Sequence, residues 1–387
     1  ASNHVKILKI LFDRSHPHPI SLSLILDDPR IHKAVPVLRH LNHTMGEQAS
    51  RIERLDLSSP HISVLRSLLE SVGFDHLTSL RALAIHLDGH DDFVRFSQFK
   101  DLPNITELKI NIPHRHPLMF AVQWPNITHL DVVLQGDYDE IGIQFGFLIR
   151  HAINIERAAF TFRAADKRTR PLPVPIDVML GPINITDTCP LPNLTSLSFK
   201  IAGLIYISSL LDTLETPNMD ELEIDYDTPL SDLDMMAWNG TFWGLRPTFS
   251  RLSILCVDFL DYEELEKCFE ELKQLEYLNF KAPGALNLVR MLGMPFKASD
   301  RLTIQHEAGE ASLLPRLRQL FLWLIEPLDL DGIEALREMV RRRRSGSGLG
   351  QPFTLKGYAH EIHVYLRRLG SALEGNWHGL FEIVDLT

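Results

Sequence analysis

Cysteine is scarce in this chain of 387 residues: Cys189, Cys256 and Cys268 are the only three. Their number and spacing fit neither a disulfide framework nor a metal site. Long apolar runs are missing too, and nothing approaches the roughly 18 residues that a membrane-spanning helix requires. There is no basic excess, since 39 Lys and Arg stand against 50 Asp and Glu for a net charge of -11. That balance argues against the electropositive stripe of a nucleic-acid interface. The first twelve residues are charged and short, unlike a secretory signal. They also open without Met, as a segment of a longer chain would. These absences predict a cytoplasmic protein, or a nuclear one if Arg341-Arg-Arg-Arg344 acts as a localisation patch. The same run suits a helix C-terminus, where cations oppose the dipole, followed by a flexible loop at 345–352.

Catalytic constellations are also lacking. His360-Glu-Ile-His363 is one residue short of the i, i+4 histidine spacing of a zinc-binding helix. The glycines of Gly346-Ser-Gly-Leu-Gly350 follow a basic helical stretch rather than a strand, so they form no phosphate-cradling loop. No Gly-x-Ser-x-Gly elbow occurs. The expectation is a chain with no catalytic, cofactor or metal site. Six sequons (Asn42, Asn104, Asn126, Asn184, Asn193 and Asn239) are read as structural, because no secretory signal accompanies them.

What the chain has instead is a recurring phrase. Leu102-Pro-Asn-Ile-Thr-Glu-Leu108 returns as Trp124-Pro-Asn-Ile-Thr-His-Leu130 and as Leu191-Pro-Asn-Leu-Thr-Ser-Leu197. Weaker copies lie at Pro217-Asn-Met-Asp-Glu-Leu222 and Pro315-Arg-Leu-Arg-Gln-Leu320. Written as apolar-x-x-apolar-x-apolar-x-apolar, units open at Ile52, Leu80, Ile105, Ile127, Ile155, Leu194, Met219, Leu252, Leu275 and Leu317. Self-similarity at such a period marks stacked units. The second half of each unit alternates with period two, which predicts a strand with one buried face. Residues 20–26 alternate likewise and predict an earlier strand. Helices are expected at 63–70, 138–151, 204–214, 262–272 and 330–343. Strand, helix and strand in series imply a parallel sheet.

This pattern resembles the leucine-rich repeat family, whose unit reads Leu-x-x-Leu-x-Leu-x-x-Asn. The resemblance covers about Ile52 to Ile325 and implies an α/β fold: an irregular, open horseshoe solenoid with a parallel sheet on its concave face and helices outside. The family's Asn slot holds no Asn in any unit here, so the regular Asn-stapled turn is not expected. The chain divides on this reading into a capping segment at 1–50, a solenoid at 51–326 and a helical and strand cap at 327–387.

If the unit's apolar slots point inward, the residues between them form the open sheet face. Glu221, Glu223 and Asp225, with Asp258 beyond, make an acidic block on it. Ile254, Cys256 and Asp258 are assigned to the same face. Tyr277, Phe321 and Trp323 are large aromatic groups that should stand out from the sheet, where interface energy concentrates. Alternatively, Phe321 and Trp323 belong to a strand covered on both faces. These seven residues, Glu221, Glu223, Asp225, Asp258, Tyr277, Phe321 and Trp323, are the candidate partner site.

At the N-terminal end, Arg14-Ser-His-Pro-His-Pro-Ile-Ser-Leu-Ser-Leu24 resembles the segment that follows the F-box in fungal F-box leucine-rich-repeat proteins. The resemblance implies the substrate-receptor subunit of a cullin-based ubiquitin ligase. Its F-box, not in this sequence, would dock the ligase adaptor while the repeats hold a substrate protein. The chain is expected to act as a monomer and to bind neither nucleic acid nor membrane. A scaffold with no ubiquitin connection is the alternative.

Overall fold

A computed structural model describes residues 10–25, 43, 46–60, 65, 77–87, 99–100, 102–111, 122–136, 138–164, 188–202, 210–211, 213–226, 249–255, 266, 269–281, 285–293, 314–323, 335–336, 338–340, 343, 354–358 and 381–384. The chain forms two compact units. One is Ala1–Thr195 with Thr213–Thr216, and the other is Ser196–Asp212 with Pro217–Thr387. Both are α/β, dominated by parallel sheet with few helices among the described residues.

Among the described residues, the main sheet of the first unit has these strands in chain order: β1 (Ile20–Ile25), β2 (Ile52–Ser59), β3 (Ala82–Leu87), β4 (Glu107–Asn111), β5 (His129–Gly136) and β6 (Arg157–Ala164). Each pairs in parallel with the next. The early strand expected at 20–26 is therefore present as β1. A small parallel pair, β7 (Cys189–Pro190) with β9 (Leu214–Glu215), completes this unit. The second unit has β8 (Ser196–Ala202), β10 (Glu221–Tyr226), β11 (Arg251–Leu255), β12 (Tyr277–Lys281), β13 (Gln319–Trp323), β14 (Thr354–Tyr358) and β15 (Phe381–Val384), again parallel neighbours in that order. Neither sheet closes on itself. The sheet continues past residue 326, because β14 and β15 add to β13 within the segment expected to be a cap.

Registers follow the repeated leucines. Leu55, Leu83, Leu108 and Leu130 lie side by side in the first unit. Leu197, Leu222, Leu252, Leu278, Leu320 and Leu355 do so in the second. All ten are buried, as period-two alternation on a one-sided sheet requires. The recurring phrase has a clear local job. In Trp124-Pro-Asn-Ile127 and Leu191-Pro-Asn-Leu194 the last N–H donates to the first carbonyl, at 3.0 and 3.2 Å. The tight turn buries both apolar ends and leaves Pro and Asn at the surface. Leu77–Leu80, Ala152–Ile155, Leu272–Leu275 and Leu314–Leu317 turn the same way without the full phrase.

The asparagines of these turns form a ladder. Asn104 Nδ2 donates to the Thr78 carbonyl at 2.6 Å, Asn126 to Pro103 at 2.8 Å and Asn154 to Pro125 at 2.8 Å. Each turn is thus tied to the one before it. These asparagines sit at the entrance to each strand. The phrase's threonines act alongside: Thr128 and Thr195 hydroxyls donate to the carbonyls of Thr106 and Glu156. Three sequons therefore coincide with structural turns. Their side-chain amides already serve as donors.

Two helices are fully bounded among the described residues. α1 (Tyr138–His151) matches the expected limits. Its Ile141, Phe145, Leu148 and Ile149 are buried at i, i+4, i+7 and i+8, one face of a 3.6-residue period. Phe145 meets Phe160 of β6 edge-on at 4.9 Å and Phe162 at 6.3 Å. α2 (Ala285–Gly293), which the repeat reading did not anticipate, buries Leu288, Val289 and Leu292. It is short and follows Pro283-Gly284, so it lacks the length of pattern that marked α1. The helix expected at 63–70 lies outside the described residues apart from Leu65. Helical turns remain within 204–214, 262–272 and 330–343 at the residues described.

One register differs from the sequence reading. Leu252 pairs with Leu222 and Leu278, so it occupies the unit's second apolar slot and not its first. Phe249, fully buried, opens that unit. An odd shift of three residues exchanges the faces. Arg251 and Ser253 therefore stand on the open face, and Ile254 takes a core-side register position beside Ile224 and Phe280. The misassignment arose because Phe249 follows a stretch without the Pro-Asn phrase, while Leu252-x-x-Leu255 imitates the start of a unit.

The N-terminal phrase is held by one arginine. Arg51, just before β2, donates to the carbonyls of Phe12 and His18 at 3.2 and 2.8 Å, and to Ser15 Oγ at 3.0 Å. Ser15 Oγ in turn donates to the Phe12 carbonyl at 2.9 Å. The Arg-Ser-His-Pro-His-Pro stretch is thereby clamped beside the first strands.

Candidate interaction face

On the second unit's open face, strand register arranges side chains in rows that cross the strands. The first row reads Ser196, Glu221, Arg251, Tyr277 and Gln319. The second, two residues further along each strand, reads Ser198, Glu223, Ser253, Asn279 and Phe321. Between β8 and β12 these rows enclose an open groove of about 210 Å³. Leu197, Leu222 and Leu252 line it together with polar residues and Tyr277.

Each row has its own chemistry. Arg251 Nε lies 3.0 Å from Glu221 Oε1, and its guanidinium carbon sits 4.7 Å above the centre of the Tyr277 ring. Carboxylate, guanidinium and aromatic ring thus come from three successive strands. Both charged side chains are about half exposed, so the pair contributes below about 1 kcal/mol to stability. Its effect is to fix the Arg251 side chain along the row. In the second row, Ser198 Oγ donates to Glu223 Oε2 at 2.9 Å and Asn279 Nδ2 donates to Ser253 Oγ at 3.0 Å.

Of the seven candidate residues, Glu221, Glu223 and Tyr277 line this groove together. Asp225 follows on β10, in register with Lys200 and Leu255. Phe321 is half-buried on β13, next to Asn279 in the second row. Trp323 lies in β13 beside Lys281, and its side chain lies outside the described residues, as does Asp258 entirely. The acidic block is not a uniform negative surface, because Arg251 neutralises Glu221. Sequence reading missed Arg251 and Ser253, which the shifted register hid, and it placed Asn279 on the open face without counting it in the candidate site.

The first unit presents a different open face. Arg54 reaches over Ala82 to Glu107, Nη2 to Oε2 2.8 Å, so a bridge spans two strands above one small residue. Lys109 Nζ meets Asp131 Oδ2 at 2.6 Å on adjacent strands. His86 Nε2 lies 3.6 Å from Asp56 Oδ1. These charges are matched within the face.

Two further residues bear on the sequence reading. Arg343, from the basic run, is buried and donates from Nη1 to the Leu314 carbonyl at 2.6 Å. Burial away from water lowers its pKa to about 10. It acts as a structural anchor, so this arginine does not stand free for a receptor to read. Cys189 is buried, its Sγ donating to the Ile149 carbonyl at 3.3 Å, and desolvation raises its pKa. That is the environment of an inert thiol. Among the described residues no cluster of His, Cys, Asp and Glu could hold a metal ion, and no helix is long and apolar enough to cross a membrane. No protein-family model matches the chain, and no curated protein sequence matches it either.

Proposed function

We propose that this chain is a protein–protein interaction module, an irregular leucine-rich-repeat solenoid whose concave sheet face holds a partner protein. The supporting observation is the groove between β8 and β12, lined by side chains that four successive strands set in rows at fixed spacing. A rigid sheet holds Glu223 and Tyr277 in place before binding, which lowers the ordering cost of recognition. Within this reading the module is the substrate-recognition part of an F-box subunit of a cullin-based ubiquitin ligase. The basis for that step is the Arg14–Leu24 phrase that Arg51 clamps to β2. The chain would carry no chemistry of its own and would position a bound protein's lysine for ubiquitin transfer.

Two measurements test the proposal. Solution scattering should give a radius of gyration well above the roughly 21 Å of a compact globule of this length, and a value near 21 Å would remove the solenoid. For the function, proteins captured from the native cell should be lost with folded Glu223→Lys and Trp323→Ala variants. The natural chain should also co-purify with the ligase adaptor. Retention of every partner by both variants would place binding elsewhere. Loss of partners without any adaptor would leave a scaffold.

A further inference from the structure

The two rows of the groove share a serine on β8 and a carboxylate on β10 but part at β11, where one has Arg251 and the other Ser253, and that difference specifies a ligand. In the first row, β10 supplies a carboxylate, β11 a guanidinium and β12 an aromatic ring, in contact at 3.0 and 4.7 Å. In the second row, β10 again supplies a carboxylate, Glu223, but β11 supplies Ser253. Serine is shorter than arginine by a whole guanidinium-bearing stem. Ser253 therefore leaves unfilled by its own side chain the space that Arg251 fills in its row, and it lines the groove together with Glu223, Arg251, Tyr277 and Asn279. Glu223 receives one neutral donor, the Ser198 hydroxyl, and no ion pair to it is present among the described residues. A half-buried carboxylate with one hydroxyl donor keeps unused acceptor capacity. The Ser253 hydroxyl oxygen is already engaged by Asn279, which holds the floor polar and in place.

We propose that the gap above Ser253 binds an arginine side chain of the partner protein, which takes toward Glu223 the place that Arg251 takes toward Glu221. This deepens the interaction reading above and rests on it. Arginine fits better than lysine, because its planar fork pairs with a carboxylate through two parallel donors, whereas an ammonium is a point charge. The partner segment lies across the strands, since the rows and not the strands define the groove. Its arginine enters beside Arg251, which is held by Glu221 and Tyr277 and so does not compete for Glu223.

The test uses the peptide acetyl-Gly-Arg-Gly-amide, its citrulline analogue, which keeps the shape and removes the charge, and the lysine peptide. Binding is followed by NMR on the full chain, with the Tyr277 ring as reporter. The arginine peptide should give saturable shifts at Tyr277 that weaken with salt. The citrulline peptide should give none, and the lysine peptide should bind less tightly. Glu223→Gln should weaken the arginine peptide by about two- to fivefold, the scale of one partly exposed ion pair. Ser253→Arg should abolish binding, because the new side chain fills the gap from within while the open face tolerates its size. Equal response to the citrulline peptide, or binding unchanged in Ser253→Arg, would overturn the arginine site. Partner capture that survives Glu223→Gln but is lost with Tyr277→Ala would also overturn it, while leaving the interaction face standing.

Discussion

Phe249→Ala is expected to destabilise the second unit by about 3–5 kcal/mol, the range for emptying a fully buried aromatic site. Phe249 opens its repeat and lies directly before β11, whose Leu252 aligns with Leu222 and Leu278. Its ring cannot be replaced by neighbours, because the flanking strands hold their own side chains at fixed register. The measurement is chemical denaturation followed by tryptophan fluorescence and by circular dichroism. Since stacked units couple mainly to their neighbours, the transition should also broaden or split. A loss below about 1 kcal/mol would restore the register in which Leu252 opens the unit. It would also move Arg251 and Ser253 off the open face and remove the arginine site with them.

Phe145→Ala should be nearly as costly in the first unit, again about 3–5 kcal/mol. Phe145 is the residue of α1 that meets both Phe160 and Phe162, edge-on to each. Its loss removes that buried area and two aromatic pairs, which add about 0.5–1.5 kcal/mol each beyond burial. Hydrogen exchange should localise the damage: amides of α1 and β6 should lose protection, while those of β10 to β13 keep theirs. Uniform loss of protection across the whole chain would contradict it. So would an unchanged exchange rate in α1.

The two predictions lie at opposite ends of what could be read in advance. α1 was legible because fourteen residues carry a strong 3.6-residue apolar period with Arg150 and His151 in the last turn, a local pattern that needs no context. The strands were legible for a similar reason, with Leu108 and Ile110 or Leu197 and Phe199 spaced by two behind a Pro-Asn turn. The turn itself was expected from its residue types, but its asparagine ladder was not. Asn154 carries no Pro before it, and only the stacking of turns shows that its amide reaches the Pro125 carbonyl. β14 and β15 were not read as sheet members because they carry no repeat phrase.

By itself the sequence determined that the repeat units carry strands, which face of most of them is buried and that they run parallel, since these follow from periodicity along the chain and from connection length. The open face was decided only in three dimensions. Whether Glu221 is a free acid or the partner of Arg251 depends on which residues of two strands lie side by side, a register that adjacent leucines and the buried Phe249 set together. A slip of three residues leaves the apolar pattern of β11 plausible in the sequence and exchanges its faces in the fold. The acidic stretch Glu221, Glu223 and Asp225 therefore reads as one block along the chain, but across the sheet it divides into one neutralised carboxylate, one with a serine donor and one beside Lys200.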